Sequence, residues 1–159
     1  LGNGLFTLLC HPDQLDVLRR EPAWMPLAVE EMLRYESPTN MVARITVEPW
    51  TIGDLVVPAG EMLFCLIGAA NHDPAACQHP ERFDIRRRSN PQLAFGRGVH
   101  YCVGAPLARL EAELAFEALL RRWPALQLDE AAPRWRPMIN LRGLESLRLR
   151  PGPPASRLA

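Results

Sequence analysis

The feature that most constrains this chain is the stretch Phe95-Gly96-Arg97-Gly98-Val99-His100-Tyr101-Cys102-Val103-Gly104. Gly96, Gly98 and Gly104 free the backbone to take positive φ and to approach a flat ligand closely. Pro106 follows, where its ring presets φ for a first helical turn and its missing N–H costs nothing. The spacing beyond it predicts a helix from Pro106 to about Arg122, so Cys102 falls just ahead of a helix N-terminus. Free backbone N–H groups and the positive end of the helix dipole there favour a thiolate, which is a good soft ligand for iron. The competing reading is a small buried cysteine in a turn, because free cysteine is often merely core.

Phe95, Gly98, Cys102 and Gly104 spell F-x-x-G-x-x-x-C-x-G, and with the helix behind them they resemble the haem-binding loop of the cytochromes P-450. The run AFGRGVHYCVGAPLARLEAELAFEALLRRWP is similar to bacterial, soluble-type members almost word for word. The resemblance covers about residues 1 to 150 and implies a mainly α chain with small β-sheets (α+β). That is the C-terminal part of the P-450 fold, lacking most of the N-terminal helices. It further implies haem b (iron protoporphyrin IX), with Cys102 as the iron ligand and Phe95 packed on the proximal side near the sulfur. Gly96 and Gly98 would shape the loop, and the N–H groups of Val103 and Gly104 would soften the sulfur's charge. His100 matches a position that holds a haem propionate, and Arg97 is a second partner for such a carboxylate. His100 as a further metal ligand is the competing idea. Arg44 matches a propionate-binding arginine as well, with an exposed strand arginine as the equal alternative.

Composition excludes some classes. The 159 residues suit one domain, long enough for a core. Eighteen basic and 18 acidic side chains cancel, which points away from a nucleic-acid partner. Cys10, Cys65, Cys77 and Cys102 show no CxxC pattern, so reduced thiols are expected. No apolar run reaches the roughly 18 residues of a membrane span, and a cytoplasmic protein without membrane contact is expected. The chain opens on Leu1 rather than Met, and reads as the back part of something longer.

In chain order, residues 1–9 read as the tail of a helix, with Leu1, Leu5 and Leu8 on one side. By the resemblance this is the end of the long central helix, and the acid–alcohol pair that serves dioxygen lies upstream of Leu1. A short helix follows from His11 to about Arg20 and is broken at Glu21-Pro22. From Met25 to about Tyr35 the pattern is helical again, with Leu27, Glu31 and Arg34 on one face. Glu31 and Arg34 could be a solvated i, i+3 pair. They also match the family's E-x-x-R, which implies a buried structural network whose third member is Arg82. A strand is expected over Met41 to Val47, and a hairpin over Thr51 to Val57 turning at Gly53-Asp54. Glu61 to Ala70 fits either strand or helix, and residues 71–80 fit a short helical turn. His72, Cys77 and His79 match no common zinc spacing. Arg86-Arg87-Arg88 reads as a solvated loop, with a docking site for an acidic redox partner as the alternative. The predicted helix after Cys102 is apolar around most of its circumference, with Arg109, Glu113, Glu117 and Arg121 in one i+4 row. Leu126, Leu128, Leu147 and Leu149 suggest a small terminal sheet, and residues 151–159 read as a Pro-rich tail expected to lack order.

The resemblance implies a haem-thiolate monooxygenase. It would insert one oxygen atom of dioxygen into a small organic substrate, with electrons from a ferredoxin- or flavodoxin-type donor and its NAD(P)H-dependent reductase. The alternative is a non-catalytic haem-binding remnant or interaction module, since the distal half is absent from these residues. A thiol hydrolase using Cys102 and His100 lacks a third orienting group.

Overall fold

The computed structural model describes residues 1–129, 133–153 and 155. Helix α1 (Gly2–Cys10) ends where His11-Pro12 starts α2 (Pro12–Arg20), and a 3-10 turn at Pro22–Trp24 leads into α3 (Met25–Tyr35). Proline stands in the first turn of α2, of α3 and of the later helix α5 (Ala105–Arg122), where it removes only an orphan N–H. Four short strands follow: β1 (Met41–Ile45), β2 (Trp50–Ile52), β3 (Leu55–Val57) and β4 (Met62–Leu66). β1 and β4 pair antiparallel with Met41 opposite Leu66, while β2 and β3 form the expected hairpin, with Gly53 at φ 58° in its turn. The apolar run from Glu61 to Ala70 resolves into both alternatives, since β4 continues directly into the single-turn helix α4 (Ile67–Ala70).

From Asn71 to Gly104 the chain carries no strand and only a 3-10 turn at Gly98–His100. One helical turn stands at Asp73, whose carbonyl accepts the N–H groups of Ala76 and Cys77. Helix α5 (Ala105–Arg122) then packs on α3, and β5 (Gln127–Leu128) pairs with β6 (Leu149–Arg150) in the terminal sheet. Of the expected Pro-rich tail, residues 154 and 156–159 lie outside the described residues, and the Ala155 N–H donates to the Arg122 carbonyl.

The core lies between α1, α2, α3 and α5, where Leu8, Leu18, Met25, Ala28, Phe116 and Leu120 are buried together with Phe83 and Ile85. Leu1 was expected on the apolar side of α1 but is exposed; Leu5 and Leu8 carry that side. Helix α5 is less covered than its composition calls for. Its apolar circumference calls for cover on most sides, yet only Ala105, Phe116 and Leu120 are buried, and Leu107, Leu110 and Leu114 are each more than half exposed. The side that packs on α3 supplies the core, and Leu107, Leu110 and Leu114 remain exposed.

Gly4 is where α1, α3 and α5 come closest. A Cβ there would lie 2.9 Å from Met32 Sδ and 3.2 Å from both Met32 Cβ and Phe116 Cζ. Gly4→Ala should therefore cost about 1–3 kcal/mol in overpacking, against a helix-propensity gain of about 1 kcal/mol. A lower urea midpoint is expected; an unchanged or higher one would show that α1 moves aside freely.

Candidate functional site

Two polar hubs on α3 hold the irregular segment that carries the cysteine. The first is centred on Glu31 and Arg34, whose side chains are both fully buried. Arg34 Nε and Nη2 donate to the two Glu31 carboxylate oxygens at 2.8 and 2.9 Å. The remaining Arg34 donors reach backbone carbonyls: Nη1 bonds Asn71 and Pro80, and Nη2 also bonds Arg82. Burial works against the Arg34 charge, but the Glu31 hydrogen bonds and charge outweigh it and hold the guanidinium above its ordinary pKa.

Arg82, expected as the third charged member, enters through its carbonyl alone among these contacts, and its residue is exposed. The second guanidinium on Glu31 belongs to Arg87, at 3.1 Å, from the basic run expected to be solvated. Arg87 also donates to the carbonyls of Gln78, His79 and Arg82. Glu31 further accepts the Asp84 N–H and Asn90 Nδ2. The resemblance implied Arg82, and three consecutive arginines do not announce which one turns inward. His79, at φ 48°, keeps its left-handed backbone with its carbonyl tied to Arg87 and to the Arg82 N–H.

The second hub begins one residue earlier. Glu30 accepts both arms of Arg109 from α5, with Nη2 at 3.1 Å, and Gln92 Nε2 at 3.0 Å. Burial opposes the Glu30 charge, but the Arg109 and Gln92 hydrogen bonds prevail and hold its carboxyl below the usual carboxylate range. Arg109, held above its ordinary value chiefly by Glu30, also donates to the Tyr101 hydroxyl at 2.8 Å. Its guanidinium carbon stands 4.8 Å from the centre of the Phe95 ring. The i+4 row on α5 gave no sign of an Arg109 partner on α3, and only the doubled acid Glu30-Glu31 hints at two hubs.

Between Phe95 and Tyr101 the loop turns tightly. Gly96 and Gly98 take φ of 74° and 72°, which side chains resist. Gly104 does not share that role, with φ −83°; a Cβ there would meet Cys102 Sγ at 3.8 Å, an ordinary van der Waals distance. The Cys102 N–H donates to the Phe95 carbonyl at 2.9 Å, and the Cys102 carbonyl accepts the Ala105 N–H as α5 begins. Cys102 is exposed, with Val99, Val103 and Leu107 exposed around it and Phe95 half-buried. His100 and Arg97 are exposed on the same loop. Arg44 is exposed in β1, where its Nη1 bonds the Ala43 carbonyl. His72 Nδ1 lies 3.0 Å from the Gly68 carbonyl, and no metal-competent group of three or more His, Cys, Asp or Glu occurs among the described residues. An open thiol ahead of a helix, with exposed apolar side chains nearby in sequence and the basic residues Arg97 and His100 on the same loop, fits an apolar, carboxylate-bearing macrocycle with a soft-ligated iron.

A cytochrome P-450 family profile matches residues 24–141, and the chain belongs to that family. Cytochrome P-450 107B1 of Saccharopolyspora erythraea is 49% identical over 156 residues, which is 96% of this chain and 38% of that protein. The structure of PksS, the P-450 of the Bacillus subtilis 168 bacillaene polyketide synthase, superposes with TM-score 0.91 at 44% identity, covering 95% of this chain and 40% of that one. P-450 BioI, solved in complex with acyl carrier protein ligated to hexadec-9Z-enoic acid, gives TM-score 0.90 at 47% identity over 92% of this chain and 38% of that one. The chain thus spans about two fifths of the length of these relatives. Family membership implies a haem cofactor. No helix among the described residues is long and apolar enough to cross a membrane.

Two stability measurements check the hubs. Arg87→Met should cost about 1.5–3 kcal/mol, the scale of charge-assisted hydrogen bonds, whereas Arg82→Met should stay within about 0.5 kcal/mol; equal losses on chemical denaturation would restore Arg82 to the network. Glu30 has a depressed folded-state pKa, so its stabilisation is present above the ordinary carboxylate value and disappears as pH falls through the folded one. Glu30→Gln should flatten that part of the acid limb of a stability–pH curve, and an unaltered limb would show that the pair does not contribute.

Proposed function

We propose that this chain is the haem-thiolate part of a cytochrome P-450 monooxygenase, which inserts one oxygen atom of dioxygen into an organic substrate. The observation that carries this reading is the exposed Cys102 thiol, set just ahead of α5 on a loop with two left-handed glycines and exposed apolar neighbours in sequence. When bound, haem b supplies dioxygen activation, and a thiolate ligand favours O–O cleavage. Cys102 is the iron ligand. The first-turn N–H groups of α5 stabilise its negative charge, and the Val103 and Gly104 N–H groups temper it further.

Phe95 would pack beside the bound haem near the Cys102 sulfur, and Gly96 and Gly98 would let the loop backbone approach it. His100 and Arg97 bind the propionates, with Arg44 as a third partner from β1. The residues that deliver protons to dioxygen come from the part of the family fold that precedes α1. Electrons arrive from a ferredoxin- or flavodoxin-type donor with its NAD(P)H-dependent reductase. The relatives are tied by name to a polyketide synthase and to a carrier-bound acyl chain. Their chemistry favours an extended, largely apolar substrate here as well.

The test is the difference spectrum of the reduced, carbon-monoxide-bound protein beside that of Cys102→Ala. A strongly red-shifted Soret band in the parent, lost in the variant, is expected. A parent without that band would overturn thiolate ligation. Haem uptake with a normal band but no substrate oxidation, when a competent donor and reductase are supplied, would favour a non-catalytic haem-binding module.

A further inference from the structure

We infer that Arg109 is a positioning residue, clamping both ends of the cysteine loop so that Cys102 presents its sulfur to iron in one geometry. The inference rests on the haem-thiolate reading above. Arg109 lies two helical turns beyond Cys102 on α5, too far along the helix for its guanidinium to be read as a ligand group. What it touches is the loop's two flanks. The Phe95 ring lies against the guanidinium at 4.8 Å, and the Tyr101 hydroxyl accepts from Nη1 at 2.8 Å. A backbone bond closes the same loop a second time, from the Cys102 N–H to the Phe95 carbonyl. The loop between them is therefore closed twice, once by a peptide hydrogen bond and once by a single cation.

That cation is itself fixed. Glu30 takes two of its donors, and Gln92, three residues before Phe95, bonds the same carboxylate. Residues 92, 95 and 101 thus all report to one ion pair spanning α3 and α5. Arg109 is only about a quarter exposed, and Glu30 similarly so, which keeps solvent from screening the pair fully. A planar guanidinium suits this job because it stacks on an aromatic face with its plane while donating from its edges. Lysine can supply the charge but cannot do both.

Without the clamp, two left-handed glycines leave the loop free to sample other turns. The sulfur would then be offered in several positions, and a thiol that strays from the iron gives way to a neutral form with an unshifted band. Positioning predicts a graded series. In the haem-loaded protein, Arg109→Met should lower the share of the red-shifted carbon-monoxide band several-fold, with the unshifted form growing in its place. Arg109→Lys should recover only part of it. Tyr101→Phe removes one oxygen from an exposed edge and should give a smaller loss in the same direction. In haem-free protein, amide exchange at Cys102 should quicken in both Arg109→Met and Tyr101→Phe, while the interior of α5 keeps its protection.

Should Arg109→Met fail to fold, Tyr101→Phe and Arg109→Lys carry the test. A parent-like band and parent-like Cys102 exchange in those folded variants would overturn the clamp. A parent lacking the red-shifted band would instead sink the haem-thiolate reading, and the clamp's spectroscopic consequence with it.

Discussion

A buried carboxylate, Glu31, is the interaction on which the rest of this structure depends. It has no exposure and faces two guanidiniums, a backbone N–H and an amide. Taking such a group out of water is costly unless every lone pair finds a donor. Here they do. The same condition applies to Arg34, whose donors run out on Glu31 and three carbonyls. The energetic value of such a pair against an apolar substitute is small or negative in general. Its value in this chain is geometric, since the carbonyls it collects belong to residues 71, 80 and 82, far from α3 in sequence.

Placing a second acid beside the first extends the arrangement. Neighbouring residues on a helix point about 100° apart, so Glu30 and Glu31 cannot serve one site. Glu31 turns towards the segment from Asn71 to Asn90, and Glu30 turns towards α5 and the cysteine loop. One turn of α3 therefore sets the position of the segment that leads into the loop and of the loop itself. The apolar residues of the same helix, Ala28, Val29 and Met32, anchor that turn in the core. A hydrophobic stripe fixes the strut, and the acids on its other faces fix what hangs from it.

Much of this was legible from residue patterns. Helix ends at prolines, the hairpin at Gly53-Asp54, and the loop bounded by Phe95 and Gly104 follow from local stereochemistry and needed no tertiary context. The family resemblance rested on residues whose spacing is also local. The failures share one cause. Arg82 in place of Arg87, the Glu30–Arg109 pair between α3 and α5, and the ambiguous run at residues 61–70 all depend on contacts between distant segments. Gly104 differs in another way: its φ of −83° is open to any residue, so its place in the loop does not rest on a left-handed backbone.

The deeper reason for two hubs is the segment they serve. Between α4 and α5 the backbone has a 3-10 turn and no strand, so few of its polar groups can be satisfied by a ladder or a helix. A connection of that length without regular structure is uncommon in a compact domain unless it carries function. Side chains satisfy those groups instead. Arg34 and Arg87 donate to five different carbonyls, and Asn71 Oδ1 accepts the Leu93 N–H. Guanidiniums suit that role because each offers several donors in a fixed plane and keeps its charge when buried. An irregular backbone made rigid by side chains can hold an open thiol at a helix N-terminus without a strand or helix passing over it. That is the combination a soft metal ligand needs: a fixed position, and one face left free.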